Sequence, residues 1–169
     1  MADSRWTAAG IPDQSGRTAV VTGANSGLGY ETCRALAVRG AHVVMASRDE
    51  GRGRAALGRL RAETAGELEM LRLDLADLAS VREFAATLVA RDRPIDLLVN
   101  NAGIGMPARS LTAQGFESQF GVNHLGHFAL TGLLLPLLRR GNGARVVTVS
   151  SEAYRDGSID FDDLQGERA

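Results

Sequence analysis

The sequence predicts an α/β domain in which a parallel sheet carries helices on both faces. Three observations lead there. Short apolar runs of strand length alternate with longer stretches of helical periodicity along most of the chain. Glycine and proline punctuate these runs, and a glycine-rich turn joins the first strand to the first helix. With 169 residues, 44% of them apolar, the chain is long enough to bury one core of its own. Strand–helix–strand units of this kind close by right-handed crossovers, which makes the strands parallel.

The elements follow in order. "TAVVTG" (18–23) is an apolar run closed by glycine and reads as the first strand. "GLGYETCRALAVRG" (27–40) reads as a helix with Gly40 as its C′ residue. "AHVVMAS" (41–47) is a second strand, and "RGRAALGRLRAET" (52–64) is a surface helix weakened by its glycines. "LEMLRLDL" (68–75) is a third strand. In "DLASVREFAATLVAR" (77–91), Leu78, Val81, Phe84, Ala85, Leu88 and Val89 recur at helical spacing and should share one buried face. Pro94 breaks the chain before a fourth strand, "IDLLVNNAG" (95–103). A long helix is expected over 112–140, and "ARVVTVSS" (144–151) is the fifth strand. Residues 1–16 read as an N-terminal extension with little order of its own, from which Trp6 should pack onto the domain. Residues 17–151 form the domain, and 152–169 begin a loop. No internal repeat or low-complexity segment is present.

Composition excludes several classes. A net charge of −1 provides no bulk field for nucleic acid or an anionic membrane surface. The start of the chain has no apolar run resembling a secretory leader. No segment is expected to span a membrane, since the richest, "FALTGLLLPLLRR", is short and contains Pro136. Cys33 is the single cysteine, which rules out an internal disulfide and a cysteine metal site, and no histidine–carboxylate spacing argues for a metal. A cytoplasmic location is expected. All 19 basic residues are arginine; the chain contains no lysine.

"TGANSGLG" (22–29) carries the first chemical signal. Glycine permits a tight turn, lets a phosphate approach without a Cβ in the way, and lets helix and strand pack closely. The helix N-terminus beyond it offers free N–H groups and partial positive charge. Its place between a first strand and a first helix makes Gly23, Asn25, Ser26, Gly27, Leu28 and Gly29 candidate dinucleotide-binding residues. The alternative is a plain tight turn. The ribose of a dinucleotide is read at the end of the second strand, where an acidic residue favours NAD. Ser47 and Arg48 stand there. A guanidinium can fork onto a 2′-phosphate, so NADP is expected over NAD, the alternative being a solvated surface arginine. Asp49 fits a helix N-cap better than a ribose ligand.

Taken together, these motifs make the chain resemble the short-chain dehydrogenase/reductase family. It carries Thr-Gly-x-x-x-Gly-x-Gly as "TGANSGLG", Asn-Asn-Ala-Gly as "NNAG" (100–103), an aspartate after the third strand as Asp74 in "LDL", an asparagine as Asn123 in "GVNHLGHF", and a serine-ended fifth strand. The pattern covers the chain from about Arg17 to Ser151. The wording of "ANSGLG", "ASRD" and "VNHLGHF" is most similar to the branch containing retinol dehydrogenases and WW-domain oxidoreductases, which generally prefers NADP.

The resemblance implies a Rossmann-like, doubly wound, three-layer fold with strand order 3-2-1-4-5. It implies that Asp74, with Leu75 beside it, meets the adenine, and that Asn25 and Ser26 lie along the adenosine and phosphates. It further implies that Asn101, Ala102 and Gly103 line the floor beneath the ribose. Asp74 could instead cap the next turn, and the "NNAG" asparagines could tie strand four to strand one through Thr22. Asn123 would kink its helix and hold a water in a proton relay, or else be a helix-interior polar residue. His124 and His127 read as packing or surface residues.

By the same resemblance Ser151 is the serine that donates to a substrate carbonyl as charge develops on its oxygen. Its family partners, a tyrosine acid–base and a lysine four residues later, have no counterpart here. Tyr154 lies only three residues past Ser151 and is followed at the lysine position by Ser158. The chain is therefore expected to be the front portion of an oxidoreductase for alcohols, aldehydes or ketones, cut after the fifth strand and inactive alone. Its bare fifth strand should promote self-association. The other readings are a free-standing dinucleotide sensor and a non-catalytic interaction scaffold. The acidic cluster Asp160, Asp162 and Asp163 reads as solvated loop charge.

Overall fold

The computed structural model describes residues 6–105, 108–155 and 157–168. Five strands, β1 (Thr18–Thr22), β2 (His42–Ser47), β3 (Leu68–Arg72), β4 (Leu97–Asn100) and β5 (Arg145–Thr148), form one parallel sheet in the order β3-β2-β1-β4-β5. Four α-helices complete the fold: α1 (Gly27–Val38), α2 (Glu50–Glu63), α3 (Leu78–Ala90) and α4 (Gly126–Leu138). This is the expected Rossmann-like architecture. Val20 pairs with Val44 on one side and Leu98 on the other, so β1 is central, and the strand order reverses at it.

Successive strand residues face opposite sides, and the core divides accordingly. Ala19, Val21, Val43, Met45 and Val99 pack with Cys33, Leu36, Ala56 and Leu60 of α1 and α2. Val20, Val44, Ala46 and Leu98 pack with Phe84 and Leu88 of α3 and with Leu130, Leu134 and Leu137 of α4. Burial pushes the Cys33 thiol up to about 12, which leaves it a small apolar side chain. Helices α2 and α3 start on side-chain caps. Asp49 accepts from Arg52 N at 2.9 Å and Asp77 from Ala79 N at 2.9 Å.

Four expectations need correction. The helix placed over 112–140 begins later: a turn with Thr112 N donating to Phe116 O precedes it, and the Glu117 carboxylate receives the amides of Gln119 and Phe120. Gly115, at φ 82°, supplies the left-handed residue that this turn requires. Second, Val89 is 42% exposed. It lies about 80° around α3 from Val81 at 100° per residue, on the rim of the buried stripe rather than within it. Third, a π-helical turn, Phe120–Leu125, runs straight into α4, and Pro136 lies inside that helix without ending it. The resulting helix, Phe120–Leu138, is long and apolar enough by length and composition to cross a membrane. In the domain it is a core helix, with Leu130, Leu134, Leu137 and Leu138 buried. Fourth, Trp6 packs only shallowly, keeping 75% of its surface exposed at the rim of an apolar groove of about 890 Å³.

The segment before β1 is tied to the domain by several hydrogen bonds. Gln14 N donates to Arg39 O at 2.8 Å, and the Arg17 guanidinium donates to Asn142 O at 3.3 Å.

Candidate dinucleotide-binding site

The site forms at the carboxyl ends of β1, β2 and β4, beside the point where strand order reverses, which is where open α/β sheets leave a crevice. The turn after β1 is shaped by close approach. A Cβ on Gly23 would stand 2.9 Å from Ala102 Cα, and φ there is 65°. A Cβ on Gly29 would stand 2.4 Å from Gly23 O and 2.6 Å from Asn101 Nδ2. Glycine is thus required at both positions so that α1 and the loop after β4 can close on the turn. Asn25 is half-buried in the turn. Ser26 takes the N-cap position of α1 with its hydroxyl unused by the cap, and Gly27 and Leu28 lie exposed in the first helical turn.

Thr22, the last residue of β1, organises the floor. Its hydroxyl oxygen accepts from Asn101 N and Ala102 N, both at 2.9 Å, while Asn101 Nδ2 donates to Thr22 O at 2.8 Å. The Asn101 side chain is therefore spent on tying β4 to β1. Asn100 points to the other side, donating to Thr131 Oγ1 of α4 at 3.1 Å.

A cavity of about 160 Å³ brings most of the expected residues together. Thr22, Gly23, Asn25, Ala46, Arg48, Asp74, Ala102 and Gly103 line it, with Leu73, Leu75, Ile104 and Val122 as its apolar walls. Asp74 Oδ1 accepts from Ala76 N at 3.0 Å, so one carboxylate oxygen caps the following turn and the other remains for a ligand. Arg48 is exposed and makes no ion pair among the described residues, leaving its five donors free. Ser47 is buried, and its hydroxyl donates back to Asp49 O at 3.0 Å. The set fits a dinucleotide: a glycine turn at a helix N-terminus, an apolar slot with a free carboxylate oxygen, and an unpaired guanidinium at the end of β2.

Asn123 sits in the π-helical turn. Its side chain grips the backbone of Ile104 in both directions, Oδ1 accepting from N and Nδ2 donating to O, each at 2.9 Å. This sets it beside Gly103. Ser151 stands apart from this group. β5 ends at Thr148, and the exposed Ser151 accepts from Ala153 N at 3.2 Å, starting a short 3-10 turn, Glu152–Arg155. Tyr154 in that turn is 69% exposed.

One residue of the site was not anticipated as such. His127 is 4% exposed and lies between Thr22 and Asn123. Its position one residue after Gly126 gives no chemical signal in a chain with no strict partner spacing. The signal is spatial: a Cβ on Gly126 would stand 2.6 Å from Leu75 O, and that close approach brings His127 against the sheet.

An α/β domain with a glycine turn, a polar floor and a partly apolar slot at the strand-order reversal belongs to the class of dinucleotide-binding domains. The family model for short chain dehydrogenases matches residues 17–162, and the chain belongs to that family. Retinol dehydrogenase 12 of Mus musculus is 49% identical over 154 residues, covering 90% of this chain and 49% of that protein. Polyprenol dehydrogenase of Mus musculus is 49% identical over 164 residues, 94% of this chain and 49% of that protein. The chain thus spans about half the length of the curated relatives it matches. Among solved structures, an uncharacterized protein from Mycobacterium Paratuberculosis superposes with a TM-score of 0.85 at 51% identity, over 96% of this chain and 56% of that one. The Pseudomonas aeruginosa RhlG/NADP active-site complex gives 0.74 at 32% identity, over 91% and 62%. A short chain dehydrogenase/reductase from Burkholderia phymatum in complex with NAD gives 0.67 at 29%, over 80% and 49%.

Proposed function

We propose that this chain forms the dinucleotide-binding portion of an NADP-dependent oxidoreductase that moves a hydride between the nicotinamide and an alcohol, aldehyde or ketone. The observation that carries this reading is the cavity lined jointly by the glycine turn, Arg48 and Asp74. When bound, the cofactor would give a hydride to a carbonyl in its reduced form, or take one from an alcohol in its oxidised form. The chain's own residues bind and orient it. Gly23 and Gly29 bring the N–H groups of α1 within reach of a diphosphate, Asp74 offers an acceptor to the adenine amino group, and Ala102 and Gly103 floor the ribose. Arg48 is the element that selects NADP, because an unpaired guanidinium can take a 2′-phosphate in two hydrogen bonds. The two mammalian relatives are named for alcohols with long apolar bodies, retinol and polyprenol, and this supports an alcohol–carbonyl pair of that kind.

The expected test is a fluorescence titration. A charge-assisted contact is worth roughly 1.5–3 kcal/mol, so NADPH should bind about tenfold or more tightly than NADH. Arg48→Asp should reverse that order; equal affinities before and after the change would remove the assignment.

The 169-residue chain itself should show no NADPH oxidation with retinal or simple carbonyls. Ser151 supplies an electrophilic hydroxyl, but the chain has no lysine to depress the pKa of a tyrosine. An unassisted phenol near ~10 is a poor base at neutral pH. Turnover abolished by Tyr154→Phe would place the proton donor at Tyr154 after all.

A further inference from the structure

Thr22 Oγ1 lies 2.9 Å from His127 Nε2, and His127 Nδ1 lies 3.1 Å from Asn123 O. Hydrogen-bond bookkeeping at each end assigns the imidazole proton. A hydroxyl has two acceptor lone pairs and one proton. Both lone pairs of Thr22 are taken by the amides of Asn101 and Ala102. Its proton is therefore what remains for His127, whose Nε2 must accept; the other acceptor in reach, Val99 O, is farther at 3.4 Å. At the opposite end Asn123 O can only accept, so Nδ1 must carry the proton. The two ends agree independently on one neutral tautomer. Burial holds this histidine below the ordinary imidazole pKa, against a smaller upward pull from the Asn123 carbonyl, so the neutral form is the one present at pH 7.

The linkage has a geometric consequence. The Asn123 side chain holds Ile104, the residue after Gly103, while the Asn123 carbonyl is held by His127. His127 in turn holds the Thr22 hydroxyl, which sets the amides of Asn101 and Ala102. The loop 101–104 is thus fixed from below by β1 and from the side by the π-helical turn, and one imidazole joins the two supports. Resting on the dinucleotide reading above, we propose that His127 is a positioning residue for the dinucleotide floor: a neutral, Nδ1-protonated imidazole that locks Thr22 to Asn123 and so holds Asn101, Ala102 and Gly103 in register beneath the bound ribose.

The test has two independent readouts on the 169-residue chain. Nitrogen-15 NMR of the histidine rings at neutral pH should show His127 protonated on Nδ1 and bare on Nε2; the opposite tautomer, or fast exchange between the two, overturns the proposal. NADPH titration of folded protein should then show at least a tenfold loss of affinity in His127→Leu. His127→Gln, whose side-chain oxygen can reach the Thr22 hydroxyl, should stay within about threefold of the parent chain. A folded His127→Leu with parental affinity overturns the proposal, because a residue that only fills space would be replaced by leucine without loss. If His127→Leu does not fold, the Gln variant decides: parental affinity supports the lock, and a loss as large as tenfold with the fold intact overturns it. Should the parent chain itself bind neither NADPH nor NADH, the dinucleotide reading fails. The lock is then judged by the tautomer and by whether His127→Gln leaves the amide shifts of Asn101, Ala102 and Ile104 in place.

Discussion

Strands β2 and β5 read alike, as HVVMAS and RVVT, and stand in the same parallel sheet, yet all six residues of β2 are buried and all four of β5 are exposed. The difference lies in what covers them. β2 has β1 and β3 as neighbours, with α1 and α2 on one face and the α3–α4 core on the other. β5 pairs only with β4, and Val146, Val147 and Val149 each keep 44–45% of their surface. Apolar patterning marks a strand as able to be buried; burial itself is conferred by the layers around it.

The comparison breaks first at Met45. It is fully buried in β2, and Met45→Ala should cost about 2–5 kcal/mol by lost transfer and residual cavity. Urea denaturation would measure this as a lowered midpoint with an unchanged slope. The next effect lies at Asp96, which joins central β1 to the start of β5. Its carboxylate accepts from Thr18 N at the start of β1 and from Asn142 N just before β5, both at 2.8 Å. Asp96→Ala leaves both amides without their acceptor and should cost about 2–3 kcal/mol. Hydrogen exchange should show β5 freed before β1.

A smaller effect is set by pH. His42 and His127 are both held below the ordinary imidazole value, with burial the largest cause in each; for His42 the Arg93 charge adds to it and Glu67 and Glu69 oppose it. The unfolded chain therefore binds their protons more readily than the folded one. Stability should be complete above about 6.5, fall as pH drops from there toward the folded-state values, and stop falling on their account below them. Urea midpoints at pH 7.5 and 5.5 measure the fall, and it should shrink in His127→Gln. The smallest effect is expected at β5. Val147→Thr should change stability by no more than about 0.5 kcal/mol. Val146→Arg with Val149→Arg should instead reduce self-association in sedimentation velocity, since charge on an exposed edge opposes pairing. A loss of stability at Val147 comparable to that at Met45 would erase the contrast between the two strands.

The glycine turn and the Asp49 cap could be read from the sequence, because each depends on local pattern; the strand order β3-β2-β1-β4-β5 is non-local and followed only from the family resemblance. The later start of the long helix could not be read. The turn at 112–117 depends on a bridge between Leu111 and Glu117 and on Gly115, and neither interrupts the apolar periodicity that follows. Val89 was misplaced because a face chosen by spacing has no sharp rim. Pro136 weighs against a long apolar helix only until Leu134 and Leu137 are seen buried in the core, where packing outweighs one missing amide. Gly23, Asn25, Arg48, Asp74, Leu75, Ala102 and Gly103 stand out in short motifs, and the structure gathers them around one cavity; His127 carries no such motif, since its place depends on a π-helical turn and on Thr22, 105 positions away.

The Thr22 hydroxyl also dates the site within folding. It gathers partners 79, 80 and 105 positions along the chain, so the floor rests mainly on long-range contacts. The glycine turn can form as soon as β1 and α1 meet, but the floor must wait until β4 and α4 have docked, after the costly loop closures are complete. Dinucleotide binding should therefore appear in the last kinetic phase of refolding, together with protection of the Asn101 and Ala102 amides. It would act as a clock for sheet assembly: a chain that binds the cofactor has finished joining its central strands.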